Sequence, residues 1–253
     1  MNIGMSGKTV PLQTFIFPRA LRLLVLAPHP DDFDGIGVTM RFFQDNGNPL
    51  YVAVASSGAS GVENAFLSKR AAETKAELRE REQRASCRFF GLPESHLEFL
   101  RLEEDTAGHP VVNEANTDRL RRHFLSKRPA LVFLPHWHDP NLGHQRVYAI
   151  FRRVALEADY PLAVFLNRDP KTIQMRSDVY MEFGEHAAAW KGELLRFHQS
   201  QHQRNLNQRG YGFDERILGV DRQSAEGCSL DALHAEVFEL EFFRASKLAD
   251  ILR

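Results

Sequence analysis

The sequence predicts an α/β protein of three layers, in which helices cover both faces of a mostly parallel, Rossmann-like sheet. Over about the first 170 residues, short aliphatic runs alternate with longer segments of helical periodicity. Most of these runs are continuously apolar, which is typical of parallel strands that are buried on both faces. Strands that alternate with helices in this way indicate a three-layer fold around a parallel sheet.

The pattern places five strands and four helices in this part of the chain. The strands are predicted at 21–28, 49–56, 96–102, 130–135 and 162–168. The helices are predicted at 34–46, 67–91, 114–128 and 143–158. The second helix is rich in residues that favour helices, and Gly91-Leu92-Pro93 terminates it.

The rest of the chain is less regular. Its predicted elements are a strand at 178–183, a helix at about 187–204, a loop-rich stretch, and a strand at 235–242. No internal repeat and no low-complexity linker divides the sequence. Residues 1–253 are therefore predicted to form a single domain, with an N-terminal extension at 1–20 and an elaborated C-terminal part at 205–253.

The composition predicts an ordinary soluble protein, with 43% hydrophobic and 26% charged residues. A formal net charge of −1 provides no bulk attraction to nucleic acid or to an acidic membrane. The two cysteines, Cys87 and Cys228, are too far apart in sequence to suggest a disulfide scaffold or a thiolate zinc site. The start of the chain lacks a signal-peptide core, and no later run approaches the ~20 apolar residues of a membrane helix. The prediction is a cytoplasmic protein without nucleic-acid or membrane partners.

Histidines and acidic residues follow two of the predicted strands. The segment LLVLAPHPDDFDG (23–35) leads from the first strand into one such loop, and PHWHDPNLGH (135–144) follows the fourth strand. Ligands of open α/β sheets bind beyond the carboxyl ends of the strands, so the two loops are expected to converge. The candidate residues are His29, Asp31, Asp32, His136, His138, Asp139, Asn141 and His144.

Three of these residues suit a metal ion. The spacing of His29 and Asp32 across a turn lets both side chains reach one ion, and His144 can supply a third ligand. Three N/O ligands leave a vacant position for water, which is the pattern of a hydrolytic zinc site. Asp31 is then placed to act as general base. The alternative is that two aspartates before a helix only cap it, but the second His/Asp loop favours the metal site.

Several motifs, taken in order, carry a family resemblance. They are APHPDD (27–32), SSGASG (56–61), Arg79 and Glu82 in LREREQRASCRFFGL, Asp105 in LRLEEDTAG, DPNLGHQ (139–145) and KGELLRFHQSQ (191–201). Together they resemble the LmbE-like (PIG-L) family of metal-dependent N-deacetylases, which remove N-acetyl groups from glucosamine-containing substrates. The first motif is specific, and the others gain weight from their order along most of the chain.

The resemblance implies a site and a reaction. Its metal ligands are His29, Asp32 and His144, which would hold one divalent ion per chain, and its general base is Asp31. The ion is expected to be zinc, although this ligand set also suits iron(II) or cobalt. The implied partner is a small N-acetyl amino-sugar substrate, and the implied assembly is a homo-oligomer.

Substrate-binding roles are predicted for Arg79, Asp105 and Asp139. For Arg79 the alternative is an ion pair with Glu82 at i, i+3, and for Asp105 it is a cap on its own loop. The family's second motif reads His-Pro-Asp-His, whereas this chain has Asn141, Leu142, Gly143 and His144. Asn141 can donate a hydrogen bond to an oxyanion but cannot deliver a proton.

Other residues must then supply the general acid. The candidates are His138, His136, Asp139, or Asp31 acting as both base and acid. His198 and His202 have a spacing that can bind metal on one helix face, but they lack the glutamate of the HExxH pattern. The remaining histidines considered, which are predicted to be surface residues, are His96, His109, His123, His186 and His234.

Two rival functions fit parts of the sequence. DDFDG resembles the nucleophile motif of haloacid-dehalogenase-like phosphatases, with Asp32 as nucleophile and Asp34 as acid/base. However, PHP separates this motif from its strand, and the histidine loop has no role in that chemistry. The second rival is a sugar-binding module in which catalysis has decayed, which the change at Asn141 keeps open.

Overall fold

The computed structural model of the chain describes residues 9–67 and 73–252, and these residues build one eight-stranded sheet. The strands are β1 (Val10–Pro11), β2 (Leu23–Ala27), β3 (Leu50–Val54), β4 (Leu97–Phe99), β5 (Leu131–Pro135), β6 (Leu162–Asn167), β7 (Val179–Phe183) and β8 (His234–Phe243). Their order across the sheet is β1-β7-β8-β6-β5-β2-β3-β4. Neighbouring strands are parallel except in the two pairs that include β8.

Helices cover both faces of this sheet. They are α1 (Gly37–Asn46), α2 (Asn64–Leu67), α3 (Lys75–Phe90), α4 (Glu114–Lys127), α5 (Leu142–Glu157), α6 (Glu185–Arg196), α7 (Gln199–Arg209) and α8 (Phe213–Gly227). Side chains of α1, α3 and α6 pack in one core cluster, and side chains of α4 and α5 pack in another. The predicted three-layer α/β fold is confirmed.

The position of strand β2 between two helical layers explains why its sequence is continuously apolar. Leu23, Val25 and Ala27 pack in the first core cluster, whereas Leu24 and Leu26 pack in the second. Successive side chains of a strand point to opposite faces, so a strand covered on both sides needs apolar residues at every position. Its pairing with β3 and β5 places it in the middle of the parallel strands, where its carboxyl end is surrounded by other strand ends.

The predicted helix at 187–204 is wrong in one respect, because it is two helices. α6 ends at Arg196 and α7 begins at Gln199, with His198 between them in a non-helical conformation. The imidazole of His198 is fully buried, and its Nε2 lies 2.7 Å from Oδ2 of Asp34. His198 therefore separates two helices where the sequence predicted one.

Three further elements differ from the predictions. The stretch predicted as loop-rich contains the 15-residue helix α8, and the predicted N-terminal extension contributes β1 to the edge of the sheet. The predicted helix at 67–91 begins at Lys75 in the structure, with a Thr74–Glu77 capping box, and residues 68–72 lie outside the described part. Within residues 9–67 and 73–252, no helix is both long and apolar enough to cross a bilayer.

Candidate metal centre

The loops that follow β2 and β5 meet at one edge of the sheet. His29, Asp32 and His144 each offer one ligand atom there, and these three atoms lie within 4.8 Å of one another. His29 and Asp32 come from the loop after β2, and His144 lies in the first turn of α5. The convergence expected from parallel strand ends therefore occurs at these residues.

Asp32 is the residue that joins the other two. Its Oδ2 accepts a hydrogen bond from the backbone N of His29 at 2.7 Å and lies 3.5 Å from His29 Nδ1. Its Oδ1 lies 3.6 Å from Nε2 of His144. Burial raises the pKa of Asp32, but the charge of His144 and the contacts with His29 outweigh burial and hold it below its ordinary value.

The start of α5 brings His144 close to His29. Asn141 is the N-cap residue, and its Oδ1 accepts a hydrogen bond from the backbone N of Gly143 at 3.0 Å. A Cβ atom at Gly143 would stand 2.9 Å from Nε2 of His29. Gly143 therefore allows an approach between the helix and the first loop that any larger residue would prevent without movement of the His29 ring.

Asp139 lies behind His144, on the side away from Asp32. Its Oδ2 is 3.5 Å from Nδ1 of His144, and its Oδ1 accepts a hydrogen bond from the backbone N of Asn141 at 2.6 Å. Burial lowers the pKa of His144, but Asp32 and Asp139 outweigh burial and raise it to about 9. A carboxylate on the second ring nitrogen is the usual partner of a metal-binding histidine, because it fixes the orientation of the ring.

The donor set fits a divalent metal ion. Two imidazole nitrogens and one carboxylate oxygen are the ligands of open zinc sites, which retain a position for water or substrate. A second group, formed by Asp139, His144 and Asp169, also has ligand atoms within 4.8 Å. It shares His144 with the first group, and Asp139 already accepts a backbone hydrogen bond. The first group is therefore the better candidate, with Asp139 as the support of His144.

Asp31 is held in an unusual conformation beside these ligands. Its φ of 115° is in the left-handed region that non-glycine residues rarely adopt. Its backbone N donates to Oε1 of Gln83 at 2.9 Å, and its carboxylate accepts from Nη2 of Arg79 at 2.7 Å. Burial raises the pKa of Asp31 above its ordinary value, and the Arg79 guanidinium opposes this effect. Contacts from α3 thus fix the position of this carboxylate.

A buried network centred on α3 connects the loop that holds Asp31 with α7. The Arg79 guanidinium also contacts the Pro30 carbonyl and lies 3.3 Å from Oε2 of Glu82. Glu82 accepts hydrogen bonds from the backbone N and the hydroxyl of Ser200, both at 2.7 Å. The Arg79–Glu82 pair is therefore a buried link between the first loop, α3 and α7.

A cavity of about 410 Å³ opens onto these groups. Of the residues predicted for the site, six line its wall: His29, Asp31, Asp32, Arg79, Asn141 and His144. Three others do not: His138, Asp139 and Asp105. His138 stacks on Trp137, and Asp105 caps its own loop through the backbone N of Ala107 and His109.

The predicted substrate contacts and the general acid remain predictions. The Arg79 guanidinium contacts the Pro30 carbonyl and Asp31, and Asp105 pairs with Arg146 at 2.6 Å. His136 lies outside the cavity wall, where its Nε2 is 3.3 Å from Glu239. The side chain of Asn141 uses its oxygen for the cap, so its amide NH2 is the group that it can present to a substrate.

The cavity-wall residues that were not predicted include two that can titrate, Asp169 and His109. Asp169 follows β6, and the strand-end rule applied to this fifth strand would have found it. Burial raises the pKa of Asp169 to about 6, and His144 opposes this effect. His109, predicted to be a surface residue, is half-buried and lines the cavity. No periodic signal marks His109, because it lies in an irregular loop.

Three more histidines depart from the surface prediction, and one agrees with it. His123 is buried with its Nδ1 at 2.8 Å from Oε2 of Glu98, and His234 is buried against Phe183. His96 is half-buried, whereas His186 is exposed. Such positions are hard to read from sequence, because histidine is intermediate in its tendency to be buried.

The fold and the donor set together place this chain in a class: α/β proteins with a candidate metal site at the carboxyl ends of parallel strands. Residues 24–155, more than half of the chain, match the model of the PIG-L family, described as GlcNAc-PI de-N-acetylase. The chain belongs to the PIG-L (LmbE-like) family. No curated protein sequence matches it.

Solved structures share the fold at low identity. N,N'-diacetylchitobiose deacetylase from Pyrococcus horikoshii is 16% identical with a TM-score of 0.70, over 88% of this chain and 84% of that one. The 4-carboxy-2-hydroxymuconate hydratase from Pseudomonas putida is 18% identical with a TM-score of 0.65, over 90% and 99%. The zinc-inhibited form of teicoplanin deacetylase is 14% identical with a TM-score of 0.64, over 89% and 100%.

Proposed function

We propose that this protein is a metal-dependent N-deacetylase that hydrolyses the acetamide of a small amino-sugar substrate. The observation that carries the proposal is the gathering of His29, Asp32 and His144 around one point, with Asp31 held beside them in a cavity. Membership of the PIG-L family supports the proposal, as do deacetylases among the proteins of similar fold. The cavity of about 410 Å³ is of the size that encloses small-molecule ligands.

We propose zinc as the ion. The donor set of two nitrogens and one oxygen is the one that open zinc sites use, and iron(II) or cobalt are the alternatives that metal analysis would reveal. A divalent ion held by these residues supplies Lewis-acid polarisation of the acyl carbonyl.

The residues of this chain perform the proton transfers. Asp31 takes a proton from the attacking water, and its position is set by Arg79 and Gln83. The amide NH2 of Asn141 donates a hydrogen bond to the oxygen that becomes negative at the acyl carbon. Asp31 then passes the same proton to the leaving amine as the C–N bond breaks. His136 and His138, which lie outside the cavity wall, have no part in this scheme.

Acetate release by the metal-loaded protein tests the proposal. The substrates are a panel of N-acetylglucosamine derivatives, and metal content is measured by mass spectrometry for every variant. Asp31→Asn should retain the metal and lose about 10²- to 10⁴-fold in kcat, because a general base contributes about that much. His144→Ala should lose the metal and the activity together. His186→Ala, at an exposed histidine of α6, is the matched control and should change neither.

Two results would overturn this assignment. One is an Asp31→Asn protein that carries its full metal content and hydrolyses at the wild-type rate. The other is a metal-loaded wild-type protein that releases acetate from none of the panel. Tight sugar binding without acetate release would instead support the decayed sugar-binding module.

A hydratase is the second candidate function. One of the proteins of similar fold is a hydratase whose substrate name includes a carboxylate, and Asn141 occupies the position where the deacetylase motif has histidine. Addition of water across a double bond involves no leaving amine. One carbon takes the hydroxyl group and the proton that Asp31 removes from the water goes to the other carbon, so the histidine of the deacetylase motif is not required. Loss of ultraviolet absorbance from an unsaturated carboxylate, in place of acetate release, would favour this candidate.

The phosphatase candidate lacks its acid. Asp34 is fully buried, and its Oδ2 contacts Nε2 of His198 and Nε2 of Gln83. It does not line the cavity, so it cannot act on a substrate there. Asp32, the nucleophile in that scheme, is engaged with both histidines of the metal centre.

A further inference from the structure

A chain of buried hydrogen bonds leads from His198, just before α7, to α3. A carboxylate oxygen accepts hydrogen bonds, so Nε2 of His198 donates to Oδ2 of Asp34, at 2.7 Å. Nε2 of Gln83, on α3, donates to the same oxygen at 3.0 Å. All three side chains are fully buried, and none of the three lines the cavity of the metal centre.

The chain of hydrogen bonds ends on the backbone of Asp31. Because Nε2 of Gln83 donates to Asp34, its Oε1 is turned the other way, and it accepts from the backbone N of Asp31 at 2.9 Å. A Gln83 amide with its two ends exchanged would place an NH2 group against that backbone N–H, and two donors form no hydrogen bond. The contact with Asp34 therefore decides which end of the Gln83 amide meets Asp31.

The backbone of Asp31 requires such contacts. Its φ of 115° is a value that a non-glycine residue keeps only where its surroundings impose it. On one side its N–H is bound by Gln83, and on the other its carbonyl accepts from the backbone N of Asp34 at 3.0 Å and of Gly35 at 3.2 Å. Relaxation of this φ would change the direction in which the Asp31 carboxylate points.

Stability alone does not explain the buried pair of His198 and Asp34. Within the part of the chain that the structure describes, Nδ1 of His198 and Oδ1 of Asp34 are buried and have no hydrogen-bond partner. A buried polar atom without a partner is destabilising. Local features that cost stability are expected where they support a functional site.

A second route connects the start of α7 with the side chain of Asp31. Ser200, two residues after His198, donates to Glu82 through its backbone N and its hydroxyl. Glu82 lies 3.3 Å from Arg79, which in turn donates to the Asp31 carboxylate at 2.7 Å. The first route holds the backbone of Asp31, and this second route holds its carboxylate.

We propose that His198 is a positioning residue for Asp31. It acts through Asp34 and Gln83, whose hydrogen bonds keep the backbone of Asp31 in its strained conformation. The inference rests on the proposed function, in which Asp31 is the general base. It gives the histidine of the KGELLRFHQSQ motif a role that is separate from metal binding and from substrate binding.

Two substitutions of His198 differ in the donor that the proposal requires. Glutamine can place its amide NH2 where Nε2 of His198 lies, whereas asparagine is one methylene shorter and does not reach Asp34. In the metal-loaded protein, His198→Asn should lower kcat about tenfold with KM within about twofold of wild type. His198→Gln should retain most of the wild-type kcat, and metal content should be full in both.

Substitution of Gln83 tests the last hydrogen bond directly. Gln83→Met removes the acceptor of the Asp31 N–H at similar side-chain length, so kcat should fall about 10- to 100-fold. Gln44→Met, at a half-buried glutamine of α1 that donates to the Gly91 carbonyl, is the matched control and should leave kcat unchanged.

Hydrogen exchange of the Asp31 amide, followed by NMR, measures the positioning without any activity. Exchange should become about tenfold faster in Gln83→Met and in His198→Asn, the effect of one lost hydrogen bond, and stay slow in His198→Gln. The amide of Val25, in the middle of β2, is the internal reference, because a general loss of stability would accelerate its exchange as well.

Two results would overturn the inference. One is an Asp31 amide that exchanges at the wild-type rate in Gln83→Met. The other is equal exchange of this amide in His198→Gln and His198→Asn. If the metal-loaded wild type releases no acetate, the proposed function fails, and these exchange rates still decide whether His198 positions Asp31. If His198→Asn does not fold, Gln83→Met and His198→Gln decide it by the same measurement.

Discussion

Replacement of Lys191 by methionine should destabilise the fold by leaving two buried carboxylates without their cation. Lys191 is fully buried on α6, and its Nζ lies 2.7 Å from Oδ2 of Asp221 and 2.8 Å from Oε1 of Glu236. Methionine has a similar length and is apolar, so it fills the same space without the charge. The two contacts of Lys191 therefore link α6 to α8 and to β8.

The magnitude follows from what each carboxylate retains. Glu236 still accepts hydrogen bonds from the backbone N of Val38 at 3.1 Å and of Thr39 at 2.7 Å. Burial raises the pKa of Asp221 to about 7 even with Lys191 present, so without the lysine it takes up a proton. Removing one partner of a buried pair costs about 3–5 kcal/mol, and these two effects favour the lower end, about 3 kcal/mol. For a chain of this size, that loss lowers Tm by roughly 6–12 °C.

Urea unfolding and thermal melting at pH 7 measure this effect. Lys171→Met, at an exposed lysine, is the matched control and should change the free energy of unfolding by less than about 0.5 kcal/mol. Adding Asp221→Asn to Lys191→Met should restore part of the stability, since asparagine is neutral at this buried position without having to bind a proton. A Lys191→Met protein within about 0.5 kcal/mol of wild type would refute the reasoning.

Three further predictions concern single residues. The pKa of Asp221 rises from 3.8 to about 7 on folding, so the folded state binds more protons between these values and stability falls as pH rises through them. Asp221→Asn should therefore flatten the unfolding free energy between pH 4 and 7, and an unchanged slope would contradict this. Arg79→Lys cannot hold both the Pro30 loop and Asp31, so kcat should fall about 10- to 100-fold with little change in KM and full metal content. Asp139→Asn should weaken metal affinity about 10- to 100-fold, measured by chelator competition, because it no longer fixes His144; unchanged affinity would exclude this role.

Much of the fold and the metal centre follows from local sequence. The continuous apolar pattern of β2 is required when a strand is covered on both faces, so the layers could be predicted from it. His29 and Asp32 are three residues apart after that strand, and His144 begins the helix after another strand of the same sheet. Parallel strands end at the same edge of the sheet, so the convergence of these three residues could be predicted from the sequence.

Helix α8 shows where local sequence is insufficient. Its polar residues and two glycines resemble a loop, yet it packs on β8 and α6 and contributes Arg216 to the cavity wall. Tertiary packing overrides weak propensity in such a segment. The grouping of Lys171, Arg209 and Arg216 at the cavity wall could not be predicted, because these residues come from the loop after β6, α7 and α8.

By itself, the sequence predicted the three-layer fold and the candidate metal ligands, since both depend on patterns within single strands and the segments that directly follow them. Only the tertiary structure decided how the remaining polar residues are used. Asp31 is held by Arg79 across 48 positions, and Asp34 by His198 across 164. The strength of such contacts depends on how deeply the two groups are buried and on the distance between them. Both are set only when the helices pack against the sheet, because the residues are far apart in sequence.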